Sequence, residues 1–222
     1  MKIRHVAAAG VALAATAAIV PNAAEAGSRG PTATYQITIV NHTDAQPLSP
    51  VGAVVHRGGT DVWSTGQPAS AAVAAVAEDA ALPVFVATYD QVRGVRSASV
   101  GGDAPIGPGQ TITFELEGRR SDRLSLVSML VNTNDAFTGL DAVRLGNGTR
   151  TFDVGAYDAG TEVNNELPAF IPGPAGNSPG ERDPEGGVIS PHEGIVGQPG
   201  GIDPAVYDWD DPVATITVER LD

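Results

Sequence analysis

Apolar and polar residues alternate along several short stretches of the chain. Thr34–Asn41 (TYQITIVN) puts Tyr35, Ile37 and Ile39 on one face, the period of a half-buried strand. Thr111–Leu116 (TITFEL) and Val213–Leu221 (VATITVERL) alternate in the same way. Leu48–His56 is an apolar run interrupted early by Pro50 and Gly52, so its strand is expected to start irregularly. Leu124–Val131 is almost continuously apolar, as a buried central strand would be. Val95–Val100 and Arg150–Val154 read as further short strands. Pro68–Ala81 is dominated by alanine and lacks a β-branched run, which predicts a helix with Pro68 near its first turn. Leu82–Tyr89 fits either a strand or an extension of that helix. Phe170–Pro212 is rich in Pro and Gly and has little periodicity. It is too long for a simple connection and must be a packed irregular loop or a flexible one.

Six to eight strands, one short helix and no βαβ rhythm predict an all-β fold, an antiparallel β-sandwich. The last strand is expected to pair near the first. The chain of 222 residues suits one folded domain.

The N-terminus changes the picture. Lys2 and Arg4 precede an apolar stretch, Val6–Val20, and Ala24-Glu25-Ala26 has the small-x-small form of a cleavage site. Residues 1–26 therefore read as a signal peptide, residues 27–33 as a linker and residues 34–222 as the domain. No later segment is long and apolar enough to span a bilayer. The protein is expected to be exported, to the periplasm, the cell surface or the medium. It has no cysteine, so no disulfide can brace it. Lys2 is the only lysine, and the formal net charge is −13. An acidic chain of this kind argues against nucleic acid as a partner.

The candidate chemistry follows two strands. Leu124–Val131 empties into a segment carrying Asn134, Asp135 and Asp141. Arg150–Val154 empties into one carrying Asp158, Glu162, Asn164, Asn165 and Glu166. Carboxylates and amides delivered in this way can surround one hard cation, and all-oxygen ligation favours calcium over zinc. The plainer alternative makes Asp158–Thr161 a turn with an Asx-type cap. Asp203, Asp208, Asp210 and Asp211 around Trp209 read as a solvated acidic loop. His192-Glu193 lacks the second histidine of a zincin, and no nucleophile elbow or phosphate loop is present.

The stretches SPVGAVVHRGG (Ser49–Gly59), PIGPG (Pro105–Gly109), RLSLVSMLVNTNDAFTGLD (Arg123–Asp141), YDAGTEVNNE (Tyr157–Glu166) and DWDDPVATITVERL (Asp208–Leu221) resemble bacterial spondin-domain proteins. That family is named for the N-terminal spondin domain of F-spondin, and the resemblance runs from about Thr34 to Leu221. It implies an eight-stranded antiparallel sandwich similar to a C2 domain, with one calcium ion at the loop end. Carried over from the family, the calcium ligands are Asp135, Asp158 and Glu162. Two positions depart from the animal pattern: Ala136 stands where a Trp follows the first Asp, and Glu162 replaces an Asp. The function expected is a non-enzymatic, calcium-binding adhesion or binding module for an extracellular protein, glycan or lipid headgroup. A metal-dependent or carboxylate-based hydrolase and a purely structural envelope component are the alternatives. The oligomeric state and the ligand's identity are not legible in the sequence.

Overall fold

A computed structural model of the chain describes residues 30–176 and 181–222. The expected signal peptide lies outside the described residues. The fold is mostly β, with antiparallel sheets of four and six strands. In chain order the elements are β1 (Thr32–Asn41), β2 (Val51–His56), α1 (Ala71–Asp79), α2 (Leu82–Tyr89), β3 (Val95–Gly101), β4 (Thr111–Arg119) and β5 (Arg123–Met129). Then come β6 (Ala136–Arg144), β7 (Thr149–Val154), β8 (Tyr157–Asp158), β9 (Ser190–Pro191), α3 (Pro204–Tyr207) and β10 (Ala214–Arg220). No helix among the described residues is long and apolar enough to cross a membrane.

The four-stranded sheet runs β4-β1-β10-β7. The first and last strands do pair, from Tyr35 opposite Arg220 to Asn41 opposite Ala214. Alternate residues of β1, β4 and β10 turn inward, and the others face solvent, as their period-2 pattern requires. The six-stranded sheet runs β3-β2-β5-β6-β8-β9. One of its faces joins Val51, Ala53, Val55, Leu124 and Leu126 to Tyr35, Ile37, Ile39, Ile216 and Val218 of the other sheet in a single core. Its opposite face carries Val54, Val127 and Phe137, covered by Val73 and Val76 of α1, Phe85 and Tyr89 of α2, and Trp63. Double-sided burial explains why β2 and β5 read as continuous apolar runs.

The count of elements corrects the sequence reading. Among the described residues there are ten strands where eight were expected, because two-residue strands β8 and β9 extend the larger sheet at one edge. Three helices are present among the described residues, where one was expected. Ser70 caps α1 by accepting a hydrogen bond from Val73 N at 3.2 Å. The helix stops at Ala80, whose φ of 51° is left-handed and whose N–H returns to Ala75 and Val76 carbonyls. Leu82–Tyr89 is therefore a separate helix, with a proline in its first turn. Within the described part of the Pro/Gly-rich segment, Ile171, Ile195 and Ile202 form a small core of their own, so that part is a packed loop.

Candidate metal centre

The turn between β5 and β6 is tighter than the sequence suggests. Thr133 Oγ1 donates to Leu130 O at 2.6 Å and accepts from Ala136 N at 3.0 Å. This local bonding reverses the chain and starts β6 at Ala136, directly after Asp135. Asp141 was expected in the loop with Asp135. It lies instead inside β6, six residues further, about 20 Å along an extended strand. There it accepts a hydrogen bond from Ser64 Oγ at 3.3 Å and plays no part in the acidic loops.

Asp135 is fully buried. Its Oδ2 accepts three hydrogen bonds, from Thr161 N at 2.8 Å, Thr161 Oγ1 at 3.0 Å and Glu162 N at 3.0 Å. Its Oδ1 is buried and has no partner. Burial pushes its pKa up to about 6 against those hydrogen bonds, and the charge of Asp158 pushes the same way. Glu162 is 1 % exposed. Its Oε1 meets Arg182 Nε at 3.2 Å, while its Oε2 is buried without a partner. Burial pushes its pKa up to about 7 despite the Arg182 guanidinium. Arg182 also pairs with Glu78 at 3.7 Å and with Asp79, so it ties this loop to the end of α1.

Asp158 forms the Asx-type turn weighed for it in the sequence. Its Oδ1 accepts from Gly160 N at 2.6 Å, and its Oδ2 accepts from Asn164 Nδ2 at 2.8 Å. Gly160 has a φ of +68°, and a Cβ there would lie 2.7 Å from Val188 N. Only glycine suits both the conformation and the close approach of the 185–189 segment. The backbone thus brings the three predicted acids into one hydrogen-bonded unit, with Ala159 N donating to Asp135 O at 3.3 Å. Among the described residues, no three His, Cys, Asp or Glu side chains already converge as a metal cage. The two orphaned carboxylate oxygens, Asp135 Oδ1 and Glu162 Oε2, nevertheless fit a hard cation, since a buried acceptor without a donor is costly unless a positive charge faces it.

The remaining polar residues of these loops hydrogen-bond to neighbouring loop groups. Asn134 accepts from Glu166 N at 3.2 Å and donates to Asn165 Oδ1 at 3.2 Å. Asp203 caps α3 through Ala205 N, and Asp208 Oδ1 accepts from Ile195 N at 3.0 Å. Trp63 is buried and donates to Leu126 O at 3.2 Å, and the half-buried Trp209 packs on two cores. His192 Nδ1 accepts from Gly194 N at 3.0 Å, and burial lowers the ring's pKa. The ring borders a cavity of about 200 Å3 that Asp158, Asn164, Glu166 and Gln198 also line.

Glu166 has a role that sequence reasoning missed. It is 3 % exposed and left-handed, with φ 58°. Its carboxylate accepts three backbone N–H bonds, from Val196 at 2.7 Å, Gly197 at 2.8 Å and Gln198 at 2.7 Å. The only forewarning in the sequence is an acid placed just before a long Gly/Pro-rich stretch that needs an anchor. Glu166→Ala is expected to cost about 2–4 kcal/mol by stranding these donors. Hydrogen exchange should show the loss concentrated at residues 194–198. Unchanged protection there would remove the clamp role.

A scan against protein-family models and a search of curated proteins return no match to this chain.

Proposed function

We propose that this chain is an exported, non-enzymatic β-sandwich of the spondin type, stabilised by calcium and serving as a binding or adhesion module outside the cytoplasm. The observation that carries the calcium reading is the pair of buried carboxylate oxygens without partners, Asp135 Oδ1 and Glu162 Oε2. Asp135 and Glu162 would hold the ion, and Asp158 would join them by giving up part of its turn. Calcium, when bound, supplies the positive charge that lets these acids ionise together. Backbone carbonyls and water would complete its shell. The sandwich reading is supported by the core that the two sheets share.

The non-enzymatic reading is supported by inaccessibility. The two acids whose pKa values are raised furthest, Asp135 and Glu162, are sealed from solvent, and neither lines the neighbouring cavity. A Ser–His contact, Ser125 Oγ with His56 Nε2 at 2.9 Å, is equally sealed, with both residues fully buried. A purely structural role for calcium is the second reading. It is favoured by Arg182, which links Glu162 to α1, so that an ion there would brace the fold itself.

The test is thermal unfolding of the mature protein in excess calcium and in chelator. Saturation at a hundred times the dissociation constant should add about 2.7 kcal/mol. Magnesium should do less, because it demands tight octahedral geometry. Asp135→Asn and Glu162→Gln are isosteric and should fold, but should not respond to calcium. A calcium response that survives both substitutions places the ion elsewhere, and no response in the wild type ends the calcium reading.

A further inference from the structure

The arginines are distributed unevenly. Of twelve in the chain, Arg4 and Arg29 lie outside the described residues, which leaves ten. Arg182 belongs to the acidic loops. The other nine occupy one end of the two sheets. Arg57 follows the end of β2, Arg93 and Arg96 flank the start of β3, and Arg119, Arg120 and Arg123 surround the β4–β5 turn. Arg144 and Arg150 flank the β6–β7 turn, and Arg220 ends β10. Antiparallel register puts these positions together: His56 pairs with both Val95 and Arg123, and Arg123 pairs with Arg144. Cross-links join the turns of the two sheets, as in Gly146 N to Arg120 O at 3.1 Å and Arg220 N to Gly148 O at 3.1 Å. Asp135 and Asp158 lie at the other end of β6 from Arg144, and Glu162 follows in the loop after β8.

Arg123, Arg144, Arg150 and Arg220 donate hydrogen bonds to neutral groups, which leaves their charges without a counter-ion. Among the described residues only Arg96 of the nine forms an ion pair, with Asp122. Glu117, Glu219 and Asp222 share this end, but among the described residues none of them pairs with an arginine, and eight arginines there outnumber them. Arg57, Arg93, Arg120, Arg123, Arg144 and Arg150 are exposed. Arg57 and Arg96 also line a concavity with Gly58, Ser121 and Asp122. Arginine presents a planar fork that grips carboxylates and sulfates with two parallel hydrogen bonds.

We propose that this arginine-rich end docks a polyanionic polysaccharide, carboxylated or sulfated, outside the cell. The anions of such a polymer repeat along its length, and so can engage several turns at once. A lipid surface fits less well, because among the described residues Leu221 is the one large exposed apolar side chain near this end. The inference rests on the exported character in the preceding proposal but not on calcium, since the metal loops lie at the far end.

The test measures binding to dextran sulfate and to alginate, with neutral dextran as control, in chelator and over a series of salt concentrations. Binding is expected to either polyanion, to weaken with salt, and to be absent with neutral dextran. The triple variant R57Q/R93Q/R120Q removes three charges whose side chains make no hydrogen bond among the described residues. It should keep its melting temperature and bind roughly tenfold more weakly, as expected for three exposed contacts of modest strength. A second variant, V188E/A205E/V206E, reaches the same net charge from exposed positions in the acidic loops and should bind as the wild type does. Equal weakening by both variants would make the effect one of overall charge and overturn the surface. Binding to phosphatidylglycerol vesicles but not to the polymers would overturn the choice of partner, as would salt-sensitive self-association without polymer binding. If calcium has no effect on the protein while polymer binding persists, the metal reading fails and this one stands.

Discussion

Stripped of divalent cations, the protein is expected to lose stability as the pH rises from about 4 to 7, and calcium should reverse the trend. Burial pushes the pKa of Asp135 up to about 6, from an ordinary value of 3.8. Its folded pKa is raised, so its contribution is fully present below about 4, where both states are protonated. It is lost as the pH climbs through 6, because the unfolded chain ionises freely and the buried carboxyl does not. A shift of that size corresponds to roughly 3 kcal/mol. Glu162, raised from 4.5 to about 7, pushes in the same direction and extends the window to about pH 7. Calcium binds the deprotonated acids, so its stabilising increment should grow across the same interval. Urea unfolding from pH 4 to 8, with chelator and with calcium, reads both trends. The quantity to compare is the difference between the wild type and Asp135→Asn, since other carboxylates contribute their own slopes. Parallel curves for the two proteins would show that Asp135 ionises without penalty in the fold.

A second large loss is expected from one methyl group. Gly139 lies in β6 opposite Val127, next to the register shift between Leu124 and Leu126 of β5. A Cβ at this position would sit inside the van der Waals envelope of the Leu126 carbonyl. The obstruction is backbone and cannot swing away as a side chain can. Gly139→Ala should therefore cost about 3 kcal/mol or more and leave little soluble protein. Gly58→Ala is the matched control. Its Cβ would meet nothing nearer than Arg123 Nε at 3.5 Å, and its effect should stay within about 0.5 kcal/mol. A soluble Gly139→Ala protein of near-normal urea midpoint would mean that the β5–β6 pairing yields there.

The sequence betrayed an element wherever the element's surroundings were uniform along its length. β1 and β10 have core on one side and water on the other, so their alternation announces both the strand and its buried face. β2 and β5 are covered on both sides, and their unbroken apolar character signals that too. α2 was ambiguous because Val84, Phe85, Val86, Thr88 and Tyr89 all suit a strand. Tertiary contact decided: the Phe85 ring lies over Gly52 so closely that a Cβ there would come within 2.8 Å of it. β8 and β9 are two residues each and leave no periodic trace.

In the site, the acids were legible and their environment was not. Asp135 and Glu162 were named from the sequence, but that each holds one unpartnered oxygen depends on distant donors. Asp141 was misplaced because the Thr133 hydroxyl shortens the turn, which no hydrophobic pattern records. Arg182 and Glu166 sit in segments without periodicity, and their partners lie on other loops.

The pairing of β1 with β10 sets the order in which the fold can assemble. Tyr35 waits for a neighbour 185 positions later, at Arg220, and the two strands form the middle of their sheet rather than its border. A nascent chain can build the β5–β6 hairpin and the β2–β3 pair, which encloses α1 and α2, early. It cannot close the smaller sheet until residues 214–220 arrive. Until then β7 has no seat, and one side of β1 offers a row of open amides and carbonyls to any passing strand. Interrupted synthesis or trimming before residue 214 should therefore yield a sticky intermediate, not a smaller domain.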